Sequence, residues 1–93
     1  MAGDKFDFVV ATALIQSVEA AASALEVENQ SLEQRFGKLR EGFKDSAYDA
    51  YLADMSAAST AIADVISQMR VVSKHIIAYS EKMRMLEANM SDE

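Results

Sequence analysis

Apolar residues recur at alternating steps of three and four through the second half of the chain. The stripe starts at Tyr48 and reaches Met90 without a polar interruption. An alternation of this length places its side chains on one side of a single long helix. The positions that we assign to the packing seam of this helix are Met55, Ile62, Val65, Met69, Val72, Ile76, Tyr79, Met83 and Leu86.

The first half of the chain has the same spacing, with one polar exception. Its predicted seam consists of Phe8, Ile15, Val18, Leu25, Asn29, Leu32, Phe36 and Leu39. A single Asn on such a seam often fixes the register or the number of packed helices, at some expense in stability. The alternative is that the helix curves and Asn29 lies at a wet edge. The pattern leaves both interpretations open.

The residues between the two stripes predict a sharp reversal of the chain. Gly42 is suited to the left-handed conformation that ends many helices. Ser46 and Asp49 have the spacing of a capping box, which satisfies free amides at a helix start. Asp4 and Asp7 would open the first helix in the same way. Because the connection is short, the helices are expected to run antiparallel.

Composition supports the same fold class. The chain has no Pro, no Cys and three Gly, too few turn formers for an all-β fold. We therefore predict an all-α protein, an antiparallel two-helix hairpin with helices at about 4–41 and 46–90. Residues 1–93 are expected to form a single helical-hairpin domain with short loose ends at both termini.

A second set of apolar residues lies beside the main stripes. We assign to a candidate partner-binding face the residues Leu14, Leu52, Ile66, Val71, Ile77 and Met85. Two helices with apolar stripes this wide are best completed as a four-helix bundle. A second copy or a different helical protein would serve equally well, and the sequence does not choose between them.

Charge and residue types exclude several classes of function. The net charge is −6, with nine basic residues scattered among fifteen acidic ones, which disfavours nucleic acid. No uninterrupted apolar run approaches the roughly 18 residues of a membrane span, and no secretory signal opens the chain. A single histidine, His75, and no cysteine leave no nucleophile constellation or metal site. We expect no enzyme activity, no cofactor and no metal.

The residues at the bend resemble a known motif. Residues 43–51 read Phe-Lys-Asp-Ser-Ala-Tyr-Asp-Ala-Tyr. The WXG family of small ESAT-like proteins carries Trp-x-Gly at the bend of a helical hairpin, followed by a small residue and an aromatic one. Phe43 stands where that Trp would be and Asp45 where the Gly would be, while Ala47, Tyr48 and Tyr51 match the residues that follow. The chain thus resembles a WXG protein with a degenerate motif.

The resemblance implies a role in bacterial type VII secretion. It suggests a substrate or targeting partner that packs against another helical protein such as a larger toxin, and that contacts the secretion machinery. Such a protein would reside in the bacterial cytoplasm before export and then be secreted or lie at the cell surface. The family's export motif, an aromatic residue followed four positions later by an acid, is missing after Tyr79. Met83, Glu87 and Met90 form a looser candidate signal, so a partner subunit is expected to carry the stronger one.

Two other functions fit the same pattern of residues. One is a cytoplasmic coiled-coil adaptor or homodimer, which would assemble stably without another protein. The other is an export chaperone of a different secretion system, since such chaperones are also small, acidic and helical. A gene for a large toxin with a helical N-terminal region beside this one would favour the type VII role.

Overall fold

The chain is a helical hairpin. The computed structural model describes residues 6–42 and 46–91, apart from the side chains of Ala47 and Ser91. Helix α1 spans Phe8–Gly42 and helix α2 spans Ser46–Ser91, and the described residues form no strand. Contacts of Phe6 with Tyr79 and of Asn29 with Ser59 show that α1 and α2 run antiparallel. The all-α prediction is confirmed, and the hairpin forms a rod of 73 × 19 × 17 Å.

The start of α1 differs from the prediction. The helix begins at Phe8, not near residue 4, because Asp7 is the capping residue. The Asp7 Oδ1 atom accepts hydrogen bonds from the amides of Val9 at 3.0 Å and Val10 at 3.1 Å. These two amides would otherwise lack partners in the first turn. Asp4 and the predicted loose ends at 1–5 and 92–93 lie outside the described residues.

The bend is described only at its two sides. Gly42 is the last residue of α1 and Ser46 is the first of α2, close to the predicted limits. Gly42 does not have a positive φ, so the left-handed conformation expected there is wrong. Gly42 instead completes the last helical turn. Phe43 and Asp45, the two departures from the WXG motif, lie outside the described residues.

Small and polar side chains occupy the line along which the two helices meet. We call this line the seam; its most buried members are Ala11, Ala22, Asn29, Leu52, Ser59, Ile66 and Ser73. Ala22 and Ser73 are fully buried at 0% exposure. The four members from α2 recur every seven residues, which is the repeat of two helices that stay in contact. The helices therefore approach each other at alanine and serine positions.

The seam corrects part of the sequence-based assignment on α2. Leu52 and Ile66, predicted to face a partner, are 8% and 5% exposed and pack against α1. Every second member of the predicted stripe is half-buried beside the seam: Met55, Ile62, Met69, Ile76 and Met83. The other members are exposed: Val65, Val72, Tyr79 and Leu86. The sequence pattern assumed that the most apolar stripe lies between the helices, whereas the hairpin places its smallest residues there.

The predicted seam of α1 is closer to the observed one. Asn29 is buried, and the predicted positions at its sides are half-buried: Phe8, Ile15, Val18, Leu32 and Phe36. Leu25 and Leu39 are exposed instead. Gly37, a candidate for close helix contact, has no atom within 4 Å of the position that a Cβ would take. Close approach on α1 therefore depends on Ala11 and Ala22.

One described helix, α1, is long and apolar enough to cross a membrane by length and composition. Its most apolar window of 18 residues has a mean hydropathy of 1.6, and 11% of that window is buried. Core helices of water-soluble proteins pass the same test, so the finding is weak evidence for a membrane span. The expectation of no span stays a prediction.

Candidate helix-docking surface

Large apolar side chains of both helices are exposed on one side of the hairpin. Val65, Val72, Tyr79 and Leu86 follow one another every seven residues on α2, so they share one side of that helix. We call this side the apolar face; its residues are Leu14, Leu25, Leu39, Tyr51, Val65, Val72, Tyr79 and Leu86. Leu25 and Leu39 stand 14 and 28 residues beyond Ala11, whole numbers of heptads, and Ala11 lines the groove described next. The two helices thus contribute to one continuous surface.

A groove between the two helix ends marks the most open part of the apolar face. Its volume is about 610 Å³, and its walls are Phe6, Asp7, Val10, Ala11 and Leu14 from the α1 side and Val72, His75, Ile76 and Tyr79 from α2. The Phe6 ring packs edge-on against Phe8 at 4.9 Å and Tyr79 at 5.4 Å between ring centroids. These rings order the segment that precedes α1. The groove is lined mainly by aliphatic and aromatic side chains, which suits contact with an apolar helix surface.

The opposite side of the hairpin is polar. Arg70 Nη1 donates to Glu26 Oε2 at 2.9 Å across the two helices. This hydrogen bond and the attraction of the guanidinium hold the pKa of the Glu26 carboxyl below its ordinary value. The same contacts raise the pKa of Arg70, with a smaller contribution from the charge of Glu19. We call this side, which carries Glu26, Glu33 and Arg70, the polar face.

A further cation lies toward the open end of the hairpin. The Arg84 guanidinium carbon lies 5.3 Å from the centroid of the Phe8 ring, within the range of a cation–π contact. Arg84 stands 14 residues beyond Arg70, two heptads along the same side of α2. Cations at both positions therefore bind α1 from the polar side and leave the apolar face uncharged along its centre.

Asn29 connects the two helices inside the seam. Its Nδ2 donates to the Ser59 carbonyl at 3.1 Å, and its Oδ1 lies 3.0 Å from Ser59 Oγ. The Ser59 hydroxyl also lies 2.7 Å from Glu33 Oε1. Because a hydroxyl has one proton, it donates to one of these acceptors at a time. Of the two roles considered for Asn29, pairing of helix register is the one that these buried contacts support.

The remaining residues assigned to the partner face divide between different sides. Leu14 lies on the apolar face, where it lines the groove. Ile77 stands seven residues beyond Arg70 on the polar side, at 39% exposure. Val71 and Met85 are exposed at 41% and 68%. They lie 14 residues apart on the outer side of α2, away from α1, so they do not join the apolar face.

The residues assigned to the bend and to the export signal occupy the ends of α2. Tyr48 is half-buried and Tyr51 is exposed in the first turns. Met83 and Glu87 are half-buried and Met90 is exposed in the last turns. These positions are separated by most of the rod, so the structure does not bring the two sets together.

Sequence reasoning missed the roles of Val65, Val72, Tyr79 and Leu86 as outward-facing residues. A signal for them is present in the column at 52, 59, 66, 73 and 80, which reads Leu, Ser, Ile, Ser and Ser at intervals of seven. Small residues at a fixed heptad position permit close helix approach. That column identifies the seam, and the large residues one position before it then fall on the exposed side.

The described residues contain no group of three or more His, Asp or Glu side chains placed to hold a metal ion. His75 is exposed and lies at the edge of the groove. In comparisons with protein-family models, characterised proteins and solved structures, no match to this chain is found. The apolar face is thus the feature from which a function is to be argued.

Proposed function

We propose that this protein is a non-enzymatic helical hairpin that acts by docking its apolar face on another helical protein. In this proposal it is a type VII secretion-associated subunit, a WXG-like substrate or a targeting partner of a larger toxin. The helical unit that it meets would complete a four-helix bundle. Its route would begin in the bacterial cytoplasm and end outside the cell or at the cell surface.

The observation that carries the proposal is the inverted placement of apolar residues. The buried hydrophobic residues among those described are Ala11, Ala22, Leu52 and Ile66, of which two are alanines. The large side chains of the apolar face remain exposed instead. Burial of apolar surface contributes roughly 25 cal/mol per Å², so most of this contribution is still available in the hairpin alone. Contiguous apolar surface of this kind marks interaction sites.

The shape of the face favours a helical partner. The apolar residues of α2 are spaced by seven along the rod, and the neighbouring α1 supplies a parallel row. Two such rows separated by a groove accept the ridges of a facing pair of helices. The type VII assignment is supported by the resemblance at residues 43–51.

Two substitutions at adjacent valines test the docking proposal. Val72 is on the apolar face at 48% exposure, and Val71 is on the outer side of α2 at 41%. We expect Val72→Glu to abolish association, whether with itself or with a co-expressed helical protein, because an unpaired carboxylate would be buried. Val71→Glu is the matched control and should associate like wild type. Molar mass by light scattering and helicity by circular dichroism measure both variants.

Equal behaviour of the two variants would contradict docking through the apolar face. A loss of helicity in Val72→Glu at high protein concentration would leave association unreadable for that variant, and Val65→Glu then replaces it. Val65 lies seven residues earlier on the same face.

The secretion assignment has a separate test. In a bacterium with a type VII system, we expect the protein in the culture medium or on the cell surface when its partner is co-expressed. Phe43→Ala should reduce the exported fraction, because the aromatic ring stands at the place of the family's Trp. Association without any export, in cells that export a known substrate, would favour the adaptor. Export by a different system would favour the chaperone.

A further inference from the structure

Charged residues stand at the corners of the apolar face. On α1, the column Asp7, Leu14, Ala21, Glu28, Arg35 advances by seven residues, and Asp7 and Leu14 line the groove. On α2, the column Asp54, Ala61, Gln68, His75, Lys82 does the same, and His75 lines the groove from the other wall. Both columns therefore border the face. All four terminal residues of the two columns are exposed.

The signs of these charges alternate around the face. Phe8 contacts Arg84, so the open end of the hairpin carries Asp7 on α1 and Lys82 on α2. Near the bend, Phe36 and Leu52 line one pocket, which places Arg35 and Asp54 at a similar level. Lys38 adds to the positive corner, and Glu28 lies between the α1 corners. The order around the face is negative, positive, negative, positive.

We propose that the occupant of the apolar face is a second copy of this chain, selected by these four charged corners. The inference rests on the proposed function and names the partner of the same face. Two copies related by a twofold axis present the same patch to each other. If the axis runs along the rod, Asp7 meets the other copy's Lys82 and Arg35 meets its Asp54. If the axis runs across the rod, Asp54 meets the other copy's Lys82 and Asp7 meets its Arg35.

Either axis brings opposite charges together at all four corners, which few surfaces on a chain of net charge −6 would allow. An arbitrary contact between two acidic copies is repulsive, whereas this face is self-complementary. The corner pairs select the partner and fix the alignment, and the buried apolar residues supply the affinity.

Substitution of one acidic residue separates corner pairing from general charge repulsion. Asp54→Lys lowers the net negative charge, so repulsion between copies alone would predict tighter self-association. Corner pairing predicts the reverse: two symmetry-related attractive pairs become repulsive, and the dissociation constant rises about tenfold. The control is Asp64→Lys, which makes the same charge change at an exposed position on the outer side of α2. Sedimentation velocity over a concentration series measures both variants beside wild type.

Charge swaps then restore the dimer and identify its axis. Arg35→Glu with Asp54→Arg leaves the net charge at −6 and should recover wild-type affinity if the axis runs along the rod. Lys82→Asp with Asp54→Lys should do so if the axis runs across it. Recovery in one of these double variants supports the proposal. Equal effects of Asp54→Lys and Asp64→Lys, or weak association in both double variants, would overturn it.

Other occupants give distinguishable results. A monomeric wild-type protein that binds a type VII toxin's helical domain, and loses that binding in Val72→Glu, would overturn the second copy but leave the proposed function standing. Binding to phosphatidylcholine vesicles that Val72→Glu abolishes, without self-association, would assign the face to lipid and overturn both. No effect of Val72→Glu on any association would also overturn both.

Discussion

The seam and the apolar face are two long surfaces of the same hairpin with opposite character. The seam is buried, yet at its tightest points it holds Ala22 and Ser73. The apolar face is exposed, yet it holds Val65, Val72 and Tyr79. The seam therefore sets the distance and the register of α1 and α2, while the larger hydrophobic contribution is reserved for contacts outside the hairpin. This difference is expected of a subunit that gains much of its stability on assembly.

The polar contacts strengthen the comparison. Asn29 and Ser59 pair inside the seam, and Glu26 and Arg70 pair on the polar face. No hydrogen bond between the two helices involves a residue of the apolar face, among the bonds that the structure gives for the described residues. Directional contacts thus specify how the hairpin closes, and the non-directional surface remains for the partner.

The largest expected effect comes from filling the tightest point of the seam. Ala22→Leu adds three carbon atoms at a position with 0% exposure, so α1 and α2 must separate. We expect a loss of about 3 kcal/mol in the free energy of unfolding, at the upper end for overpacked interiors. Chemical denaturation followed by circular dichroism at one fixed protein concentration measures it.

The neighbouring residue provides the control for this substitution. Ala21 is exposed and belongs to the column of Leu14 on the side of the apolar face. Ala21→Leu makes the same chemical change and should leave the hairpin's helicity intact. If both variants lost the same stability, the seam would not be the tighter surface.

A smaller effect is expected where the seam is polar. Asn29→Ala removes both contacts to Ser59 and leaves the Ser59 carbonyl without its side-chain donor. Loss of one partner in a buried polar pair costs about 2 kcal/mol, within the usual range for such groups. Gln30→Ala, at the adjacent exposed position, should change stability by much less. Thermal unfolding of the two variants at matched concentration would reveal a register role for Asn29, and equal melting temperatures would argue against it.

The sequence predicts the helices better than it predicts which sides of them pack. The heptad spacing locates both helices to within a few residues, because a period of three and four is a property of the backbone. The choice between Val72 and Ser73 as the buried residue depends on how closely two helices approach. Hydrophobicity favours Val72, yet the structure buries Ser73. A pattern of apolar residues cannot rank these positions, because an assembly and an intramolecular core both demand apolar stripes.

A still smaller change would test the serines of the seam. Ser73 Oγ and Ser80 Oγ are buried without a hydrogen-bond partner. Ser73→Ala removes an unsatisfied buried hydroxyl, so we expect an increase of about 1 kcal/mol in the free energy of unfolding. Ser67→Ala, at an exposed position on the same helix, corrects for the higher helix propensity of alanine. A decrease in stability beyond that control would show that the hydroxyl has a partner in solution.

The smallest expected effect belongs to the polar face, at the Glu26–Arg70 pair. Since Arg70 lowers the pKa of the Glu26 carboxyl in the folded chain, this pair stabilises the hairpin above the ordinary pKa of Glu. The contribution is lost as the pH falls through the lowered value and the carboxylate is protonated. Arg70→Gln should therefore reduce stability slightly at neutral pH and converge with wild type in acid. Both groups are solvent-exposed enough for salt to screen them, so the difference should also shrink at high ionic strength. A gap between the two proteins that persisted in acid would mean that Arg70 acts through packing of its aliphatic chain instead of its charge, and the polar face would then resemble the seam more closely than its charges suggest.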